Sequence, residues 1–284
     1  MSSDPLPVRR DLHFDIADVD MKRWHAQGPM VSHFMNALSI FFPEGERFFM
    51  HSVRLYRDRI SDDPQLQRAV TGFIGQEAMH GREHEEYNLA LVDAGLPAKK
   101  LERIVTWGIR YFKKLPNAMQ LAITIALEHF TAILADLLLK DPRMIAGSHP
   151  KMIALWRWHA LEETEHKSVA FDVYRKVMPR SLGAYLLRTG TLLVITIGFL
   201  TAVFDFHLRL IFTDKNARGW RNWKNLFSYL FGSFGVFRRI ALPWLDYFRP
   251  GFQPWDHDNR QFLSGIDALV AEVQHPQAMA PAAA

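Results

Sequence analysis

The chain has 284 residues, 49% hydrophobic and 13% aromatic, with a formal net charge of +4 and a sequence pI near 9.3. That length and apolar content can fill a large core, as one big domain or as a bundle with an appendage, and they exclude global disorder. Cysteine is absent, which excludes disulfides, thiolate zinc sites and cysteine-held iron–sulfur clusters and leaves oxygen and imidazole donors for any metal.

In chain order, residues 1–28 read as a polar arm. The opening MSSDPLPVRRDLHFD lacks the apolar stretch of a secretory signal, so a cytoplasmic location is expected. Met30 to Phe42 is helical in pattern, and Pro43 either opens a new helix or kinks a continuous one that runs to about Ile60. Ser61-Asp62-Asp63-Pro64 stops one helix and starts the next. Gln65 to Ala94 reads as a single helix closed by Gly95-Leu96-Pro97, and Ala98 to Leu115 as a basic amphipathic crossover. Pro116 to Lys140 is apolar nearly all round, which places it in a core. His149 to Met178 reads as one further helix, stopped by Pro179. No long alternation of β-branched residues indicates a sheet.

Two stretches on these helices, Gln76-Glu77-Ala78-Met79-His80 and Glu162-Glu163-Thr164-Glu165-His166, share a Glu-x-x-His spacing. Residues three apart on a helix lie on one face, so each pair aims a carboxylate and an imidazole at one point. Each is preceded by a helix with a glutamate in an apolar setting, Glu46 in FFPEGERFF and Glu128 in ITIALEHFTAIL, at intervals of 31 and 35 residues. Two such pairs plus two single glutamates form the ligand set of a carboxylate-bridged dinuclear metal site in a four-helix bundle. The predicted ligands are therefore Glu46, Glu77, His80, Glu128, Glu163 and His166. Glu128 carries the most weight, because a carboxylate in the middle of LAITIALEHFTAILADLLL is costly to bury unless it is paired or bound to a metal. Glu46 is preferred to Glu44 because Glu46-Arg47-Phe48 parallels Glu128-His129-Phe130. Glu163 is preferred to Glu162 and Glu165 by its register with Glu77 and His80.

His84 lies one turn beyond His80 and is taken as an extra ligand or a catalytic base. His159, seven residues before His166, has a comparable place in the other half. A competing motif, His80-Gly81-Arg82-Glu83-His84, matches the inverted zinc-peptidase signature with Glu83 as general base. That reading leaves Glu46, Glu128 and the second Glu-x-x-His unexplained.

The segment from Asp11 to Pro179 resembles the ferritin-like superfamily of di-iron carboxylate proteins. More closely, FPEGERFF, QEAMHGREH, ALEHFTA and EETEHKSVAFDVY resemble a bacterial family known only as predicted metal-dependent hydrolases, a likeness that covers most of the chain. The first resemblance implies ferrous iron reacting with oxygen and oxidation of a substrate. The second implies a metal and hydrolysis. The expected fold is all-α, a ferritin-like four-helix bundle over residues 29–180 with a C-terminal aromatic-rich helical appendage over 181–270 and a disordered tail over 271–284. The expected cofactor is a pair of metal ions, iron ahead of manganese or zinc. Phe73, Ile74, Ile125 and Phe130 are candidates to line an apolar substrate pocket.

In the appendage, Thr189 to Phe204 is uncharged and apolar but slightly short for a bilayer span. The following GWRNWKNLFSYLFGSFGVFRRIALPWLDYFRPGFQPW mixes Trp, Tyr, Phe and Arg in the manner of the bilayer interface. The segment either packs on the bundle as an extra helix pair with its aromatics as core, or attaches to one face of the inner membrane, ahead of a true span, with a lipid-like substrate entering from that side. The basic residues from Lys99 to Lys114 read as a solvated helix face. Asp256-His257-Asp258 has no partner at ligand spacing, and no nucleic-acid module is present. The expected function is O2-dependent oxidation of an apolar or lipid-like substrate, with an electron-donor protein as a further partner. The alternatives are a hydrolase using a metal-bound hydroxide and a non-catalytic, membrane-associated helical protein.

Overall fold

The computed structural model describes residues 4–274, and among these there is helix and loop but no strand. The all-α expectation holds. Helix α1 (Pro29–Arg54) packs along α2 (Pro64–Asp93), and α4 (Asn117–Lys140) packs along α5 (Pro150–His166). Contacts between α1 and α4 and between α2 and α5 bring the four together. The crossover α3 (Ala98–Phe112) buries Leu101, Val105 and Ile109 against α1 and α2.

Pro43 lies inside α1 and does not end it. A proline cannot donate to the carbonyl four residues back. Here that carbonyl, on Ser39, accepts a hydrogen bond from Asn88 Nδ2 of α2 at 3.3 Å. The partner helix thus satisfies the group that proline frees, and α1 continues to Arg54. Asp63 caps α2 by accepting from Leu66 N at 3.0 Å. Gly95, at φ 78°, ends it in a Schellman turn, with Leu96 N donating to Leu91 O and Gly95 N to Val92 O.

The expected single helix from His149 to Met178 is broken after His166. The chain turns at Lys167 and Ser168 and resumes as α6 (Val169–Val177). No proline or glycine stands at the break. The buried Lys167 ammonium donates there to His257 O and Asn259 Oδ1, both at 2.7 Å.

Residues 4–28, read as a polar arm, form no regular element, yet they bury Leu12, Phe14, Ile16, Val19, Met21 and Trp24 in the core. The segment lies directly on α2. A Cβ on Gly72 would fall 2.1 Å from Pro7 O, so only glycine admits this approach.

The C-terminal part opens with α7 (Leu182–Thr213), whose buried face runs along α1 and α4. Helix α8 (Trp220–Phe231) packs on α1, α9 (Val236–Asp246) on α4 and α8, and α10 (Ile266–Gln274) on α5. Residues 271–274 of the expected disordered tail close α10, and the rest of that tail lies outside the described residues. By length and composition α4 and α7 are each apolar enough to cross a membrane. Most of α4 is buried inside the protein, whereas less than a third of α7's most apolar stretch is.

Arg188 fastens the appendage. It is buried, donates to Tyr247 O at 2.7 Å and Arg249 O at 3.1 Å, and lies 4.6 Å from the Tyr247 ring centroid. Replacing it with methionine keeps the bulk and removes charged hydrogen bonds to two carbonyls. Arg188→Met is expected to cost about 1.5–3 kcal/mol, measured as a lower denaturant midpoint. An unchanged midpoint would mean that the clamp is not stabilising.

Candidate metal centre

Four helices each bring acidic or imidazole groups to one buried place. Glu46 comes from the middle of α1, Glu77 and His80 from α2, Glu128 from α4, and Glu163 and His166 from the end of α5. All six residues are at most 3% exposed. Because α1 runs through Pro43, Glu46 is not at a helix N-terminus, and the simple explanation of a dipole-favoured acid does not apply to it. Glu44 instead pairs with Arg47 at 2.7 Å near the surface. A Cβ on Gly81 of α2 would lie 3.2 Å from Glu46 Oε2, so the glycine makes room for that carboxylate.

His166 Nε2 lies 3.1 Å from Glu77, 3.6 Å from Glu163 and 3.8 Å from Glu128, while His80 Nδ1 lies 3.8 Å from Glu163. Ligand atoms of Glu77, Glu163 and His166 fall within 4.8 Å of one another, and so do those of Glu46, His80 and His159. These are two adjacent groups of metal-binding type. Both oxygens of Glu46, Glu77 and Glu128, one of Glu163, Nδ1 of His80 and Nε2 of His166 have no hydrogen-bond partner in the protein. Buried polar atoms are almost always paired. Unpaired atoms gathered from six side chains in one place fit a cationic occupant, which supplies the missing partner to all of them.

The remaining atoms of these side chains are held from behind. His80 Nε2 meets Glu162 Oε2 at 3.1 Å, and Glu162 in turn accepts from Arg10 at 3.2 Å. His166 Nδ1 donates to Gln76 Oε1 at 2.9 Å, and Gln76 donates onward to Glu165 and Val8 O. Arg10 grips Glu165 through both guanidinium nitrogens, at 2.9 and 3.1 Å. Trp158 and Phe73 stand edge-on to the rings of His80 and His166. Such partners fix the tautomer and orientation of a histidine that binds metal. Glu162 and Glu165, the rivals of Glu163, thus support the centre. The sequence reading missed Arg10, Gln76 and Trp158. Gln76 stands one residue before Glu77, but nothing local marks Arg10, which only the packing of the N-terminal segment brings in.

His84 is buried but one step back. Its Nδ1 meets Ser39 Oγ at 2.9 Å and its Nε2 meets His159 Nδ1 at 2.8 Å, which leaves it no free ring nitrogen for a metal. His159 takes the forward place, with Nε2 3.0 Å from Glu163 Oε1 and its ring stacked on His80. The inverted zinc-peptidase motif is not assembled. Glu83 points to Arg82 and to Phe14 N at 3.3 Å, away from His84. A cavity of about 370 Å³ reaches His159 and Glu163; of the four residues expected to line a pocket, only Phe130 borders it, while Phe73 packs on His166 and Ile125 borders a smaller pocket beside Glu128.

Burial, reinforced by mutual repulsion, raises the Glu46 and Glu128 carboxyls well above the usual glutamate value. Burial also raises Glu77, against the pull of His166. Burial drives His80 and His84 well below the usual imidazole value. For Glu163 and His166 burial opposes charge, but their mutual attraction prevails, lowering the carboxyl and raising the imidazole. Burial pushes Glu162 up to about 8, against the pull of Arg10.

The architecture and this cluster define an all-helical protein built around a buried carboxylate–histidine site of metal-binding type. Residues 8–258 match the profile of a family described as predicted metal-dependent hydrolases, and the chain belongs to that family. No curated protein and no solved structure matches it.

Glu46, Glu77 and Glu128 hold protons more tightly in the folded chain than in the unfolded one. Without metal, their contribution to stability therefore falls as pH rises from the ordinary glutamate range through their raised values. Glu128→Gln keeps the shape and removes the charge. At pH 8 it is expected to raise the Tm of metal-free protein, by about 2–4 °C per kcal/mol recovered, and to lose most of the further rise the parent gains from anaerobic Fe(II) or Mn(II). A variant with the parent's full metal response would remove Glu128 from the ligand set.

Proposed function

We propose that the protein is a dinuclear non-haem metal enzyme that oxidises an apolar, lipid-like substrate with O2, and that Glu46, Glu77, His80, Glu128, Glu163 and His166 hold its two metal ions. Iron is favoured over manganese and zinc as the native metal. Donors of carboxylate and imidazole type without thiolate suit iron and manganese, and bridging carboxylates let two cations lie close together. Four glutamates also match the charge of two divalent ions, which relieves the repulsion that raises Glu46 and Glu128.

One observation carries the reading. A cavity of about 370 Å³, walled by carbon-rich side chains such as Leu38, Phe42, Phe112, Leu134 and Phe199, reaches His159 and Glu163 at the centre. Such walls offer an alkyl chain dispersion contacts and offer almost no hydrogen bond to a polar one. They position a C–H bond beside the carboxylates and keep bulk water away. Bound iron supplies the redox reactivity toward O2 that no side chain here has. For a hydroxylation, one oxygen atom enters the C–H bond and the other leaves as water, with two electrons from a donor protein and two protons. His159 sits between cavity and centre, and His84, braced by Ser39, orients it and exchanges protons with it.

The family description favours a second reading, metal-dependent hydrolysis. In that case His159 would accept the proton of the attacking water, and the substrate would bring its own polar scissile bond into the cavity.

Anaerobic reconstitution with Fe(II) is expected to give about two iron atoms per chain and O2 uptake on exposure to air, both lost in a Glu128→Ala, His166→Ala variant. No O2 uptake, with ester cleavage by the zinc or manganese form, would replace oxidation by hydrolysis. A second test uses Gly198, which lines the cavity with open space at its Cβ position. Gly198→Phe is expected to keep the metal content and lower turnover of a long-chain probe about tenfold, roughly 1.4 kcal/mol of transition-state binding. Unchanged turnover would mean that substrate does not use this cavity.

A further inference from the structure

The solvent-exposed residues that line the cavity, Ile104 and Trp107 of α3 and Gly198 of α7, mark its mouth. On α7, Leu186, Leu193, Val194, Ile197, Leu208 and Phe212 are all exposed, Val194 and Ile197 at 70% each. Their successive spacings of 7, 1, 3, 11 and 4 residues keep them within about 100° of arc on one face of the helix, opposite the face packed on α1 and α4. On α3, Trp107 is 73% exposed and Tyr111 58%. Lys100, Arg103 and Arg110, all exposed, share that face with Trp107, while the one acid of α3, Glu102, lies on the far side and accepts from Asn88.

From this we infer that the mouth of the cavity is a docking surface for an anionic phospholipid leaflet, and that apolar substrate passes from the leaflet into the cavity between α3 and α7. The passage into the cavity rests on the reading of that cavity as the substrate site; the docking does not. Charge and chemistry choose the occupant. A protein partner or a second copy would cover the apolar stripe, but the basic residues alternating with Trp107 and Tyr111 match headgroup phosphates and the interfacial zone of a bilayer. Helix α8 has the same composition. It exposes Trp220, Trp223, Phe227 and Phe231 beside Lys224 and contains no acid. A span is the wrong geometry for α7, because its opposite face is packed on α1 and α4 and its exposed residues cover only one side. Attachment in the plane of one leaflet seats that stripe in the acyl boundary and leaves the metal centre inside the protein.

The test is sedimentation of the metal-loaded full chain with vesicles of phosphatidylglycerol and phosphatidylethanolamine, against vesicles of phosphatidylcholine alone. Binding to the anionic vesicles is expected. It should fall about tenfold or more in Lys100→Glu, Arg103→Glu and likewise in Val194→Glu, Ile197→Glu, with helical content and metal stoichiometry unchanged in both. Failure to bind either vesicle would overturn the inference. So would binding that both variants retain, or a dimer in solution that Val194→Glu, Ile197→Glu dissolves while vesicles are ignored. Bound protein that resists extraction by alkaline carbonate would replace docking with a span. Oxygen uptake is read separately on a detergent-dispersed probe. A chain that binds vesicles but consumes no O2 loses the oxidase reading and keeps this one, and the reverse result loses only this one.

Discussion

Four glutamate carboxylates in a space closed to water cannot all remain charged unless cations share that space. An isolated buried carboxylate costs several kcal/mol, and neighbours of like sign add to the cost. Most of the interior arrangement around Glu46, Glu77, Glu128 and Glu163 answers that constraint. His166 pulls on all four, but attraction outweighs burial only at Glu163. Glu46, Glu77 and Glu128 are left raised and without hydrogen-bond partners. A core that spends so much on acids in one place is arranged around a metal-type occupant.

The surroundings of the centre divide by chemistry. On the side of α2 and α5 facing the N-terminal segment, polar groups interlock. Arg10 binds Glu162 and Glu165, these hold His80 and Gln76, and Gln76 holds His166. On the side bounded by α3 and α7 the walls are almost entirely carbon. The first arrangement limits the motion of the histidines. The second leaves a carbon-lined cavity of about 370 Å³ beside the centre. His159 belongs to both, because its ring borders the cavity and its nitrogens connect Glu163 to His84. Its ring therefore connects the cavity, Glu163 and His84 in one buried chain of contacts.

The segment before α1 and the helices after α6 are part of the same machine. Residues 7–14 lie on α2 where Gly72 permits contact, and they deliver Arg10 to the support of the centre. Helix α7, fastened by Arg188, closes one side of the cavity and leaves its own apolar face outside. The bundle supplies the carboxylates and imidazoles, and its flanking segments brace them on one side and wall the cavity on the other.

Helical class, most helix limits and the six residues gathered at the centre were legible in the sequence. Glu-x-x-His spacing and a glutamate in an apolar helix are local signals, fixed by the helical repeat and by the cost of burying charge. What crosses between segments was not legible. The continuity of α1 through Pro43 depends on Asn88 from another helix, and the turn after His166 coincides with the anchoring of Lys167 on residues 90 or more positions away. Gln76 and Arg10 are ordinary residues until folding sets them behind His166 and Glu165, and His159 meets Glu163 and His80 only because α5 presents it to them. The sequence by itself determined which atoms had to be buried, since periodicity and composition act over one or two turns. Only the tertiary structure decided which of those atoms face one another, since that depends on contacts between residues far apart in the chain.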